Sequence, residues 1–247
     1  MVESETFEDL RPLMFSLAYR MVASVSEAED IVQEAFVRYQ GALNDGVEVE
    51  SPKAYLSTVV TRLSMDHLRS ARARRETYVG QWLPEPVLTN GDALVDPAAH
   101  AERADSLSMA FLLLLERLTP VERAVFLLHD VFGYGYDEIS AIVGKTEANC
   151  RQLAARARRH IESEKPRFDA SRRKRDELAT RFFAAMSDGD FDGLIDLLAA
   201  DVVVYGDGGG KAPQWMEPIV GAQRVARLFA GLGRQIRELG VIVRLHQ

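Results

Sequence analysis

"LTPVERAVFLLHDVFGYGYDEISAIVGKTEANCRQLAARARRHI", residues 118–161, is the stretch from which the rest of the chain is read. Thr119, Pro120 and Glu122 mark a helix start: a capping hydroxyl, a proline at the first helical position and a glutamate placed to reach back to the cap. "YDEISAIVG" is a short helix stopped by Gly144, and Thr146 caps the next helix at once. Two short helices joined by a tight glycine-containing turn, the second rich in arginine, describe a helix-turn-helix. A packed helical hairpin without a ligand is the plainer alternative, against which the arginine clustering counts.

In such a motif the second helix enters the major groove N-terminus first. That places Lys145, Thr146, Glu147, Asn149, Arg151 and Gln152 toward DNA. Asparagine and glutamine pair with adenine, arginine with guanine, and glutamate accepts from cytosine. Arg156, Arg158 and Arg159 lie further along, where they meet phosphates and position the helix without specifying sequence. Cys150, Leu153, Ala154, Ala157 and Ile161 form the apolar stripe that faces the domain. Cys150 is therefore read as a core residue and not as a reactive thiol.

The net charge of −7 over 247 residues conceals a pattern. Residues 1–50 carry −8, 51–81 carry +4, 82–150 carry −7, 151–175 carry +7 and the remainder −3. Two basic islands in an acidic chain point to two separate contacts with a polyanion, solvated helix ends being the alternative. Hydrophobic residues make up 47 % of the chain, which fits a folded domain and not a disordered one. No apolar run is long enough to span a bilayer, and the acidic start "MVESETFEDL" is not a signal peptide. A single cysteine excludes an internal disulfide framework. The expectation is a soluble, cytoplasmic protein without a membrane partner.

Residues 7–75 read as helical almost throughout. "EDIVQEAFVRYQGAL" (29–43) puts Val32, Ala35, Phe36, Tyr39 and Leu43 on one face, with Asp30, Gln33, Glu34 and Arg38 turned away from it. Pro52 suits the first turn of the following helix, whose core stripe is Leu56, Val59, Val60 and Leu63 and whose C-terminal end is crowded with arginine. Residues 76–105 hold "GQWLPEPVLTNGDALVDP", a linker with no regular helix. From Ser171 a third segment is expected: two helices, a strand at "DVVVYG", a glycine loop, a helix near "GAQRVARLFAGL" and a last β-like run, "GVIVRLHQ".

"DIVQEAFVRYQGAL" followed by "PKAYLSTVVTRLSMDHLRSARARR", a linker and the helix-turn-helix resembles a bacterial extracytoplasmic-function (ECF) sigma factor over roughly residues 5–168. "WLPEP" in the linker and "DGGGK" beyond it are similar to a subgroup with a fused SnoaL-like domain. The resemblance implies a mostly α protein. Sigma region 2 would occupy 1–75, a linker 76–105, sigma region 4 residues 106–168, and a partial α+β SnoaL/NTF2-like domain 171–247. It implies core RNA polymerase and promoter DNA as partners. Asp30, Gln33, Glu34 and Arg38 would meet the polymerase. Lys145, Thr146, Glu147, Asn149, Arg151, Gln152 and Arg156 would read the −35 element. Tyr55, Arg62, Asp66, Arg69, Arg72 and Arg75 are the candidates for holding the unstacked −10 strand, which needs neutralised phosphates beside a stacking surface. The helical spacing equally lets Asp66 pair with Arg62 or Arg69. Tyr55 stands where many members have tryptophan.

The glycine loop "VYGDGGGKAP" (204–213) is not a phosphate cradle. Gly206 precedes Gly210–Lys211 by one residue too few for a P-loop, and Ala212 replaces the hydroxyl that would hold magnesium. No metal-ligand cluster and no cofactor motif are apparent. The expectation is a regulatory apparatus in which Trp82, Leu83, Pro84, Glu85 and Pro86 pack on or near Asp207, Gly208, Gly209, Gly210 and Lys211, an intramolecular contact that sets the spacing of the two DNA-binding domains. Because a single late strand follows, the SnoaL-like sheet is expected to be incomplete. Two alternatives remain at this point: a stand-alone helix-turn-helix repressor, and an enzyme acting on a small apolar ligand with Asp207 as its carboxylate.

Overall fold

A computed structural model describes residues 7–75, 83–85, 109–164, 172–206 and 217–240. These residues fall into two compact units, the first ending at Lys165; the division inside the linker lies between Leu83 and Pro84.

In the first unit α1 (Phe7–Val22), α2 (Val25–Asn44) and α3 (Pro52–Arg75) pack on one another, as the apolar spacing requires. Leu10, Met14, Leu17, Ile31, Val32, Ala35, Leu56 and Val60 fill the centre. Phe36 and Tyr39 are half-buried, as expected of the same face of α2, but Leu43, in the last turn of α2, is 42 % exposed.

The motif folds as its signals direct. Thr119 Oγ1 accepts from the Glu122 N–H at 3.3 Å while Glu122 Oε2 accepts from the Thr119 N–H at 3.1 Å, so the capping box is complete at the head of α5 (Pro120–Phe126). α4 (Met109–Glu116) precedes it, and a π-helical turn over Leu127–Val131 extends it. Gly144, left-handed at φ 65°, ends α6 (Tyr136–Val143), and α7 (Glu147–Glu164) follows. The helices after the linker pack directly against α1 and α3, so both parts share one hydrophobic core.

The second unit holds α8 (Arg172–Asp188), α9 (Phe191–Leu197), α10 (Ala222–Glu238) and two antiparallel strands, β1 (Val203–Val204) and β2 (Ile219–Val220), paired Val203 to Val220 and Val204 to Ile219. β1 lies where "DVVVYG" predicts a strand, and β2 was not foreseen; the "GVIVRLHQ" run, apart from Gly240, lies outside the described residues. Phe182 and Phe229 meet edge to face at 5.1 Å over a core of Met186, Leu194, Ala226 and Ala230. Gly233 lets α10 rest on the end of α8: a Cβ there would fall 1.7 Å from the Met186 carbonyl oxygen.

The linker touches the first unit at the α1–α2 corner. The Glu85 N–H donates to the Ala23 carbonyl at 2.9 Å, and the Glu85 carbonyl accepts from the Tyr19 hydroxyl at 2.5 Å. Its carboxylate accepts from the Val25 N–H at 2.8 Å and from Ser24 Oγ at 3.2 Å. A linker glutamate thus caps the N-terminus of α2 beside the usual cap, Ser24, where negative charge also suits the helix dipole. Ala23 is held at φ 60°, a conformation disfavoured for alanine by about 1–2 kcal/mol, and these bonds define the corner around it. Glu85→Ala removes both carboxylate bonds and should lower stability by about 1–2 kcal/mol in urea unfolding, with Glu85→Gln keeping most of it. Burial first, and then the Glu85 carboxylate, push the Tyr19 hydroxyl above its ordinary value, against a smaller pull from Arg20. The folded hydroxyl keeps its proton longer than the unfolded one. Its contribution is therefore full below about pH 10 and is lost as the pH rises through the folded value. Tyr19→Phe should flatten this alkaline limb of the stability curve; an unchanged limb would assign it to other groups.

Candidate nucleic-acid and polymerase interfaces

α7 begins under Thr146, whose Oγ1 accepts from the Asn149 N–H at 3.3 Å. Lys145, Thr146, Glu147, Asn149, Arg151, Gln152 and Arg156 are all exposed, whereas Cys150, Ala154, Ala157 and Ile161 are buried. The helix therefore has one packed and one open face at the positions the spacing demands. Arg151 Nη2 donates to Glu147 Oε2 at 2.7 Å, and its guanidinium lies 5.3 Å from the centre of the Tyr136 ring. Glu147 is thus already paired on its own helix, and the pair presents a preset guanidinium at the outer face. Arg158, expected among the phosphate contacts, instead donates to Asp130 Oδ1 at 2.7 Å, a bond that raises its pKa further. Burial, and then Glu147, push the Cys150 thiol up, which suits a core residue and not a nucleophile.

Asp30, Gln33, Glu34 and Arg38 are exposed together on α2, opposite Ile31, Val32 and Ala35, and Arg38 Nε donates to Glu34 Oε1 at 2.8 Å. Between α2 and α3 runs an open groove of about 400 Å³ lined by Asp30, Ile31, Glu34, Leu63, Asp66, His67 and Ser70. Asp66, grouped by sequence with the −10 candidates, lies in this groove with the α2 carboxylates and accepts from Arg69 Nη1 at 2.7 Å. Carboxylate walls over Ile31 and Leu63 suit a basic, partly apolar partner.

Along α3, Tyr55 is half-buried against Tyr39, ring centres 5.8 Å apart, and its hydroxyl donates to the Arg38 carbonyl at 3.4 Å. Arg72 and Arg75 lie in the C-terminal part of the same helix. Arg62 points to the helix-turn-helix: its Nε donates to the Ile142 carbonyl at 3.1 Å and its Nη2 to the Ala141 carbonyl at 3.2 Å. Sequence reasoning missed Ser57, Thr61 and Ser64, all fully buried. Ser57 Oγ meets the Tyr134 hydroxyl at 2.7 Å, and Lys53 Nζ lies 5.5 Å from the centre of that ring. The signal was present, since hydroxyls at 57, 61 and 64 recur at helical spacing beside the aliphatic stripe.

Of the linker candidates, Leu83, Pro84 and Glu85 are described, and Pro84 is buried. Trp82, Pro86, Asp207, Gly208, Gly209, Gly210 and Lys211 lie outside the described residues, as does the expected contact between the two motifs. In the second unit a shallow hollow of about 300 Å³ is lined by Ile219, Arg224, Arg227 and Leu228. Among the described residues no cluster of histidine, cysteine, aspartate or glutamate could hold a metal, and no helix is long and apolar enough to cross a membrane.

Known proteins match these parts in order. The sigma-70 region 2 model covers residues 6–74 and the sigma-70 region 4 model residues 108–161. The ECF RNA polymerase sigma factor SigJ of Mycobacterium tuberculosis is 42 % identical over 232 residues, which is 94 % of this chain and 73 % of SigJ. The probable ECF RNA polymerase sigma factor SigI of the same species is 38 % identical over 193 residues, covering 76 % of this chain and 64 % of SigI. The crystal structure of M. tuberculosis SigJ superposes with a TM-score of 0.71 at 41 % identity, covering 92 % of this chain and 74 % of that one. Neither the repressor nor the enzyme reading is favoured by these likenesses. With both regions matched and a relative spanning nearly the whole chain, the protein belongs to the ECF sigma factor family, whose members serve transcription initiation.

Proposed function

We propose the following division of labour within this sigma factor. The exposed face of α2 (Asp30, Gln33, Glu34, Arg38) docks on core RNA polymerase, with the carboxylate groove extending that surface to Asp66. α7 reads the −35 element through Lys145, Thr146, Glu147, Asn149, Arg151 and Gln152, with Arg156 on phosphate. α3 holds the melted −10 strand through Tyr55, Arg62, Arg69, Arg72 and Arg75. The observation that carries this reading is the open face of α7, where every candidate is exposed while its apolar partners are buried.

On the same reading, residues 1–75 and 106–168 act as the two promoter-reading domains, 76–105 as a functional linker and 171–247 as a modulating domain. The protein performs no chemistry of its own and works in the cytoplasm beside the polymerase. With a net charge of −7 it should bind promoter DNA weakly without core enzyme.

Run-off transcription with purified core polymerase tests the assignment, comparing the full chain with one ending after Phe168. Stimulation by both is expected, and the difference between them gives the sign of control by the C-terminal segment. Tight DNA binding without stimulation by either would overturn it. Arg151→Ala should lower −35-dependent output about tenfold or more while leaving polymerase binding intact, since a bidentate arginine–guanine contact is worth about 1–3 kcal/mol. Glu34→Lys should do the reverse, weakening polymerase binding and leaving binding of the −35 duplex unchanged.

A further inference from the structure

Tyr136, the first residue of α6, touches two arginines of α7 that stand seven residues apart on that helix. The Arg151 guanidinium lies over its ring, 5.3 Å from the centre, where the negative face of an aromatic attracts a cation. Arg158 is held chiefly by Asp130, against the cost of burial, and it donates to the Tyr136 hydroxyl as well. The ring is itself braced from behind. His129, in the π-helical turn, packs on it with ring centres 4.2 Å apart, and His129 Nδ1 donates to the Tyr134 carbonyl at 3.0 Å. The Gly135 N–H donates to Glu138 Oε2 at 2.8 Å, which closes the first turn of α6 around Tyr136. Tyr136 is half-buried against the core of the first unit, so its place is set by packing and not by the helix it serves.

Arg151 is thus restrained from two sides, by the ring of α6 and by Glu147 Oε2, which accepts from its Nη2 at 2.7 Å. A guanidinium carries five N–H donors; a contact through its flat face uses none of them, and the Glu147 bond engages one nitrogen. What is left suffices for the two parallel bonds that read guanine. Such reading demands a fixed direction, and a side chain ordered beforehand gives up less freedom on contact.

We propose that Tyr136 is a positioning residue for −35 recognition, whose ring aims Arg151 at a single guanine of the element. The proposal rests on the reading of α7 as the −35 helix. Tyr136 belongs to none of the promoter or polymerase surfaces assigned above and touches no base; it acts through Arg151. Arg158, tied to Asp130 and to the Tyr136 hydroxyl, keeps α7 in register with the ring and does not contact phosphate.

The test uses the full chain assembled with core RNA polymerase and a pool of random-sequence duplex DNA. Bound fragments are sequenced to give the base preference at each position of the enriched −35 motif. Arg151→Ala marks the position that Arg151 reads by erasing its guanine preference. Tyr136→Leu should lower guanine preference at that same position about three- to fivefold, the range that an exposed cation–π contact supplies, and leave the other positions as they are. Tyr136→Phe keeps the ring and should keep the preference. Unchanged guanine preference in Tyr136→Leu overturns the proposal and leaves the −35 reading standing, as does an equal loss at every position, the mark of a merely structural role. If Arg151→Ala alters no position, or the parent enriches no −35 motif, the −35 reading of Arg151 falls and the proposal falls with it.

Should Tyr136→Leu fail to fold, Tyr136→Phe is compared with pentafluorophenylalanine at the same position. Fluorination withdraws the negative face of the ring with little change of shape, so packing is kept while the attraction for Arg151 is lost. Guanine preference at the marked position should fall about threefold from the first to the second. Equal preference in the two overturns the proposal.

Discussion

Among the described residues of the first unit two guanidiniums are buried, Arg20 and Arg123, and the second ties distant helix ends together. Arg123, 3 % exposed on α5, donates from Nε to the Leu115 carbonyl at 2.8 Å and from Nη1 to the Met21 carbonyl. Met21 lies in the last turn of α1 and Leu115 in the last turn of α4. Both turns expose carbonyls that need donors, and both carry the negative end of a helix dipole. A guanidinium at this depth is tolerated only with such partners, and removing them costs about 3–5 kcal/mol. The end of α1, the end of α4 and the start of α5 therefore have to arrive together, and the capping box at Thr119 fixes how α5 enters. The helix-turn-helix then follows from α5 through the π-helical turn, so its place beside α3 descends from the same charge.

Between α3 and the helix-turn-helix, polar contacts accompany a shared hydrocarbon interior: Arg62 on the Ala141 and Ile142 carbonyls, Ser57 on Tyr134 and Lys53 over the Tyr134 ring. Leu56, Val60, Leu127, Leu128 and Ile139 belong to the one core that both parts build.

Much of the candidate site was legible because it lies on single helices. Periodicity alone sorts α7 into exposed candidates and a buried stripe, and α2 into a polar face and Ile31, Val32 and Ala35. Caps are equally local: Thr119, Glu122, Gly144 and Thr146 each act within a few residues, and each does what its type dictates. Partners from far along the chain were not legible: Arg158, expected on phosphate, donates to Asp130, and Asp66, besides the Arg69 pairing that its spacing allowed, lines a groove with the carboxylates of α2.

The amino-acid sequence by itself determined the helices, their caps, the family and the sides of α2 and α7 that face outward, because these depend on side chains three or four residues apart. Only the tertiary structure decided that Glu85 caps α2 across 60 residues, that Arg123 binds two helix ends and that Arg62 and Ser57 spend their hydrogen bonds on the helix-turn-helix. A donor's identity shows that it needs an acceptor, but which acceptor it finds is set by how distant helices pack.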